Sequence, residues 1–245
     1  MDARPDVQVF ADPAGLAEAA VQRIVSTAAE AVAARRRFTL ALAGGATPRA
    51  TYTRLAQRPC SEALAWDRAF VFFGDERCVR PDHPESNYRM AHETLLSKVP
   101  LPPAQVFRIR GEDEDSEAAA ADYARVLAEV FGARRGELPR FDVILLGMGV
   151  DGHTASLFPG SPVLKEIFRP VAAVHAAAAA IPERITLTLP VLNAAAHVVF
   201  LVEGAEKAKA VKAVLVDGAL LPAGMVRPVD GQLIWLLDRA AAGLL

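Results

Sequence analysis

Short apolar runs that end in glycine or charged residues recur along the chain and constrain its fold more than any other feature. The clearest of them cover residues 38–43, 69–73, 141–146, 197–202 and 233–237. Helix-like stretches separate most of these runs. Buried parallel strands have this near-continuous apolar character, and strands that alternate with helices are typical of α/β proteins. The pattern therefore predicts an α/β fold with a largely parallel sheet flanked by helices.

Other segments are less regular. Candidate strands lie at 7–10, at 106–109, at the alanine-rich 171–180 and at 183–189, where polar and apolar residues alternate. Helices are expected at 12–36, 49–56, 86–96 and 116–131, and from about Lys207 to 216. Neither an internal repeat nor a linker-like change of composition is evident. We therefore expect one domain over residues 1–245.

Composition narrows the classes of function. The chain has 245 residues, of which 52% are hydrophobic and 23% charged, as in folded globular proteins. A formal net charge of -2 gives no broad attraction to nucleic acid or to an anionic membrane, so placed cations must hold any anionic ligand. Cys60 and Cys78 have no metal-ligand spacing. With no signal-peptide pattern and no span-length apolar run, we expect a cytoplasmic protein that binds neither membrane nor nucleic acid.

The most informative stretch is 141–160, where an apolar run passes into a glycine-rich loop that carries Asp151 and His153. Residues 147–152 match G-x-G-x-x-G, the dinucleotide fingerprint, but the charge of Asp151 would oppose a pyrophosphate there. The acid that should follow about 20 residues later is also missing from 169–180. We therefore expect no nicotinamide cofactor. Polar side chains at the carboxyl end of a buried strand instead indicate a functional site.

Two more apolar runs end in candidate site residues. Gly44-Gly45-Ala46-Thr47-Pro48 predicts a strand-to-helix turn with Thr47 as N-cap and Pro48 as first helical residue. Such a turn suits an anion, although an ordinary capped connection has the same appearance. Asp75-Glu76-Arg77 follows the apolar run at 69–73. These three residues either belong to a site at the carboxyl edge of the sheet or form a solvated charge cluster. Lys207, near a helix start, makes better sense beside a bound anion.

Together these motifs resemble the 6-phosphogluconolactonase family. The matching segments are LAGGATP at 42–48, FGDER at 73–77 with Ser86-Asn87, LGMGVDGHTASLFP at 146–159, RITLT at 184–188 and GAEK at 204–207. The resemblance implies a Rossmann-like fold of the NagB/RpiA/CoA-transferase type and no cofactor or metal. It also implies a carboxylic ester hydrolase that converts 6-phospho-D-glucono-1,5-lactone to 6-phosphogluconate, the second step of the oxidative pentose phosphate pathway.

Lactone opening needs an activated water, and His153 is the best candidate base because the unperturbed pKa of an imidazole is about 6.5. Asp151 could orient it, as the acid does in a triad. Ser156 has no G-x-S-x-G context, so water is the simpler nucleophile. Arg77 could bind substrate or stabilise the oxyanion, and these alternatives remain open.

The resemblance also implies the substrate contacts. It places the 6-phosphate against Gly44, Gly45 and Thr47, closed over by the two cations Arg184 and Lys207. Asp75 is expected to hold sugar hydroxyls or Arg77 rather than to act as base.

Two other functions remain as alternatives. A glucosamine-6-phosphate deaminase typically has Asp-Glu-Tyr at 75–77 and a catalytic Glu where this chain has Phe158. A sugar-phosphate-binding regulator would carry a DNA-binding segment, and none is evident. A monomer or weak dimer is expected.

Overall fold

The computed structural model describes residues 5–134, 136–177 and 179–245. Its strands are β1 (Asp6–Phe10), β2 (Phe38–Leu42), β3 (Ala69–Phe73), β4 (Asp75–Arg77), β5 (Val143–Leu146), β6 (Val171–His175), β7 (Glu183–Leu187), β8 (His197–Val202) and β9 (Gln232–Asp238). Its helices are α1 (Pro13–Arg35), α2 (Ala46–Leu55), α3 (Asn87–Ala91), α4 (Ser116–Phe131), α5 (Leu189–Ala194), α6 (Ala208–Leu215) and α7 (Pro222–Met225).

The main sheet of the described chain has six strands in the order β1-β9-β8-β5-β2-β3, and every pair in it is parallel. The expected α/β fold with a largely parallel sheet is therefore confirmed. From β2 the chain adds β3 on one side, and β5, β8 and β9 lie on the other. The strand order thus reverses between β2 and β5, and open α/β sheets bind ligands at such a point.

A second, three-stranded antiparallel sheet, in the order β4-β7-β6, extends from the end of β3 and was not predicted. Gly74 links the two sheets, because its N–H donates to Leu42 O and its own oxygen accepts from Leu187 N–H, both at 2.8 Å. The apolar side chains of both sheets join one contiguous core.

Two buried tyrosines secure the strand ends beside the reversal point. The Tyr52 hydroxyl lies 2.8 Å from both the N and the O of Ala43, just after β2. The Tyr123 hydroxyl likewise bonds the N and O of Phe73, at 2.9 and 3.1 Å. Buried backbone polar groups need such partners, so these hydroxyls fix where the loops after β2 and β3 begin.

Some predicted boundaries are wrong. α2 begins at Ala46 rather than Arg49, with Gly45 at the N-cap and no capping side chain among the described residues. Thr47 and Pro48 are therefore inside the first turn. Gly45 has φ 103°, a conformation that favours glycine, and this backbone turn starts the helix early.

The other differences concern strands. Residues 106–109 form no strand, since only Val106 bridges to β3 before the chain turns away. The strand expected over 171–180 ends at His175, and Ala178 lies outside the described residues. β7 ends at Leu187, because Thr188 is the N-cap of α5. No helix in the described ranges is both long enough and apolar enough to span a membrane.

Candidate active site

A cavity of about 320 Å³ opens at the carboxyl ends of β2, β5 and β8, where the strand order reverses. Its walls include eight of the predicted site residues, namely Gly44, Gly45, Thr47, Asp75, Arg77, His153, Arg184 and Lys207. Asp151 is not in the described lining but contacts His153 directly. Strands distant in sequence thus bring the predicted residues together.

His153 and Asp151 form a hydrogen-bonded pair. Asp151 Oδ1 lies 2.6 Å from Nδ1 of the imidazole and also accepts the backbone N–H of His153 at 3.1 Å. A carboxylate at Nδ1 favours the tautomer with its proton there, which leaves Nε2 as a proton acceptor. The His153 side chain is about one-third exposed, at 32%, so solvent reaches it.

The glycine loop fixes this pair at short range. Gly149 N–H donates to His153 O at 2.9 Å, and a Cβ on Gly149 would lie 2.1 Å from Nδ1 of His153. Burial alone would raise the pKa of Asp151. His153 outweighs this effect through its backbone N–H, its charge and the hydrogen bond from its ring, so the pKa of Asp151 lies below its ordinary value. Asp151 is therefore a carboxylate at neutral pH, as an orienting partner must be.

Arg77 and Arg184 supply positive charge from the antiparallel sheet. They are direct partners in the β4–β7 register. Nη1 of Arg77 donates to Glu85 O at 2.6 Å, while its buried Nε has no partner among the described residues. Burial, followed by the charge of Arg77, lowers the pKa of Arg184. Like charges opposite each other are unfavourable, so a bound anion would relieve their repulsion.

The start of α2 also lines the cavity and has features that favour an anion. The first N–H groups of a helix have no intrahelical partner, and the helix dipole adds partial positive charge. Here Gly44 and Gly45 bring the backbone of Ala46 and Thr47 to the cavity wall, with Lys207 nearby on the turn after β8. The same wall carries Glu206, a carboxylate that the sequence reasoning missed.

Asp75 is held by two side chains. It is 5% exposed; its Oδ2 accepts the Ser156 hydroxyl at 2.7 Å, and its Oδ1 accepts Asn87 Nδ2 at 3.2 Å. Ser156 is fully buried, so its hydroxyl is committed to Asp75 and is not presented to the cavity. Two hydrogen bonds at fixed positions make Asp75 suited to orienting a ligand.

Asn87 is a lining residue to which sequence reasoning gave no role, although Ser86-Asn87 was part of the family motif. Glu76 places it: the buried carboxylate accepts Asn87 N–H at 2.7 Å and Tyr88 N–H at 2.8 Å. Burial raises the pKa of Glu76, while the N–H groups of Tyr88 and Asn87 partly offset this effect. A Cβ on Gly44 would lie 2.0 Å from Asn87 Oδ1, so the glycine is needed for this approach.

The polar, cation-lined cavity at the reversal point of a parallel sheet is typical of α/β ligand-binding sites, and comparison with known proteins identifies the family. Residues 11–235 match the family model described as glucosamine-6-phosphate isomerases/6-phosphogluconolactonase. The chain belongs to this family.

Its relatives identify the branch of the family. The chain is 42% identical to 6-phosphogluconolactonase of Rattus norvegicus, covering 98% of this chain and 93% of the rat protein. It is 40% identical to the Synechocystis enzyme of the same name, covering 97% of each. Rice relatives at 40% identity are named chloroplastic, so the cytoplasmic location stays a prediction.

Solved structures agree with this placement. 6-Phosphogluconolactonase from Trypanosoma cruzi superposes with a TM-score of 0.90 at 31% identity, covering 100% of this chain and 98% of that one. A monomeric glucosamine-6-phosphate deaminase superposes with a TM-score of 0.80 but is only 23% identical, which shows the shared fold alone.

Proposed function

We propose that this chain hydrolyses 6-phospho-D-glucono-1,5-lactone to 6-phosphogluconate, with water as nucleophile and His153 as general base. The observation that carries the proposal is the His153–Asp151 pair, 2.6 Å between Nδ1 and Oδ1, on the wall of a cavity that also holds Arg77, Arg184 and Lys207. The lactonase names of the relatives at about 40% identity support the substrate.

In the first step, Nε2 of His153 takes a proton from a water whose oxygen attacks the lactone carbonyl carbon, C1. Asp151 holds Nδ1–H and stabilises the imidazolium that forms. The carbonyl oxygen becomes an oxyanion, and a guanidinium such as that of Arg77 would stabilise it. The cavity also allows Arg77 to bind the substrate directly, and both roles use its charge.

In the second step, the tetrahedral intermediate collapses and the bond between C1 and the ring oxygen breaks. His153 returns its proton to that oxygen, so the imidazole is neutral again and the direct product is a carboxylic acid with a free hydroxyl. The acid then loses a proton to solvent and becomes the carboxylate at neutral pH. Water rather than serine is the nucleophile in this scheme. The buried hydrogen bond from Ser156 to Asp75 supports that choice.

The 6-phosphate is assigned to the start of α2, against Gly44, Gly45 and Thr47, with Arg184 and Lys207 as counter-charges. Arginine offers a planar fork to phosphate and lysine a point charge. Asp75, fixed by Ser156 and Asn87, is assigned to a sugar hydroxyl. This arrangement would place the lactone between the phosphate end and His153.

The direct test follows disappearance of the lactone with the spontaneous rate subtracted, beside release of ammonia from glucosamine 6-phosphate. We expect acceleration of lactone loss and no ammonia. Ammonia release without lactone hydrolysis would replace this function with deamination.

A further inference from the structure

Phe158 contacts two of the groups to which the proposed function assigns a task. Its ring centroid lies 4.5 Å from that of the His153 imidazole, with 34° between the ring planes. The guanidinium carbon of Arg184 lies 5.6 Å from the same centroid, within the usual range of a cation–π contact. Phe158 is thus a bridge between the assigned base and an assigned phosphate-binding cation.

A tight turn brings Phe158 to this place. Thr154 N–H donates to Leu157 O at 3.3 Å and Leu157 N–H to Thr154 O at 2.9 Å, so the chain reverses directly after His153. Ala155 within the turn has φ 47°, which non-glycine residues rarely adopt. The hydroxyl of Thr154 anchors the turn to Gly147 O at 2.8 Å. The position of Phe158 is therefore built into the loop.

The two contacts complement the hydrogen bonds at the same groups. Asp151 holds one edge of the imidazole, but a single hydrogen bond leaves the ring free to tilt. The Phe158 ring limits that tilt by packing. Arg184 is likewise held at Nε by Ile181 O at 3.0 Å, and the aromatic ring limits the swing of its guanidinium.

We propose that Phe158 is a positioning residue that sets the separation between His153 and Arg184. The proposal rests on the proposed function. The lactone must present C1 to the base while its 6-phosphate contacts the cations, so this separation decides whether both can happen at once. Small misplacements of reacting groups reduce rates strongly.

Matched substitutions at residue 158 distinguish the effect of the aromatic ring from that of apolar side-chain volume. Phe158→Leu keeps an apolar side chain but removes the ring, and we expect kcat to fall roughly tenfold to a hundredfold, with a raised KM. Phe158→Tyr keeps the ring and should restore both constants. Phe168→Leu, at a site 83% exposed, is the control and should leave both unchanged.

A double-mutant comparison tests the link to Arg184. If Phe158 raises affinity by aligning Arg184, then Phe158→Leu should raise KM no further in an Arg184→Ala background, while its effect on kcat persists. If Phe158 only stabilises the fold, Phe158→Leu should instead lower kcat in proportion to the fraction of folded protein and leave KM unchanged. That result would overturn the proposal.

An NMR measurement tests the contact between Phe158 and His153 even if no enzymatic turnover is detected. The imidazole C–H resonances of His153, assigned with His153→Ala, should show a ring-current shift that Phe158→Tyr retains and Phe158→Leu loses. Unchanged shifts in Phe158→Leu would refute the contact. If the wild type does not accelerate lactone loss, the proposed function is refuted. The NMR shift and the calorimetric affinity for 6-phosphogluconate would still decide the role of Phe158.

Discussion

Arg77 and Arg184 lie directly opposite each other on neighbouring antiparallel strands, and both side chains line the same cavity. Two cations in this arrangement repel each other across the pair. The Glu85 carboxylate, 3.3 Å from Arg77 Nη1, offsets part of this repulsion, and an anion bound between the two arginines would offset more of it.

Arg184→Ala should therefore separate binding from stability. We expect KM for the lactone to rise at least about tenfold, the equivalent of one lost charged contact. The free energy of unfolding without ligand should change by less than about 1 kcal/mol, because relief of the repulsion offsets the loss of the Ile181 hydrogen bond and the Phe158 contact. Kinetics and urea unfolding measure the two effects.

Arg125→Ala is the matched control, because this exposed arginine pairs only with Asp122 in the described structure. It should change neither quantity appreciably. An unchanged KM in Arg184→Ala, together with a large loss of stability, would show that Arg184 is structural.

Ser156→Ala tests whether water or serine is the nucleophile. The substitution leaves Asp75 Oδ2 without its buried donor, so we expect the protein to lose about 1–3 kcal/mol of stability. Turnover should fall less than about a hundredfold, since an orienting contact is lost rather than a nucleophile. A rate reduced to that of spontaneous hydrolysis would contradict water attack.

Gly44→Ala should disturb the site through Asn87. The new methyl group would lie 2.0 Å from Asn87 Oδ1, so Asn87 must move. We expect a loss of about 1–3 kcal/mol from this overpacking and a lower kcat/KM. Thermal unfolding and steady-state kinetics measure the two changes.

Gly15→Ala is a control within helix α1, where the nearest atom would be 3.5 Å from the added Cβ. It should stabilise the protein by roughly 0.5–1 kcal/mol without changing kinetics. Equal behaviour of the two variants would mean that the tight contact at Gly44 is unimportant.

The parts of the site that sequence could predict are those where a strand ends. Apolar runs identified β2, β3, β5 and β8, and parallel strands must bring their carboxyl ends to one edge. Gly44, Asp75, His153 and Lys207 could therefore be expected together, although they are far apart in the chain.

What sequence could not predict depends on contacts between distant segments. Asp75 pairs with Thr186 in the second sheet, and no local period indicates a partner so far along the chain. Asn87 reaches the cavity because the buried Glu76 holds its backbone N–H. Thr47 failed as an N-cap because the φ of Gly45, not a side chain, starts α2.

Glu166 gives stability a defined pH dependence. The backbone N–H of Phe168, followed by the guanidinium of Arg169, lowers the pKa of Glu166 to about 2. A carboxyl whose pKa is lowered on folding stabilises the protein above its unfolded pKa, ordinarily about 4.3. This contribution to stability is lost as the pH falls from about 4.3, the unfolded pKa, to about 2, the folded pKa.

Glu166→Gln should therefore be less stable than the wild type at pH 7, and the difference should narrow as the pH falls below about 4.3. Urea unfolding of both proteins between neutral and acid pH measures it. A difference that stayed constant over this range would mean that the charge of Glu166 is not responsible.

His153 is the base in the proposed mechanism, and the chain supplies a close control for it. His175 also pairs through Nδ1 with a carboxylate, that of Glu183, but lies on β6 outside the described lining of the cavity. The decisive measurement is the enzymatic rate of 6-phosphogluconolactone loss for wild type, His153→Ala and His175→Ala. We expect His153→Ala to lose roughly a hundredfold or more, as for a general base, and His175→Ala to match the wild type. Full activity in His153→Ala would contradict the mechanism.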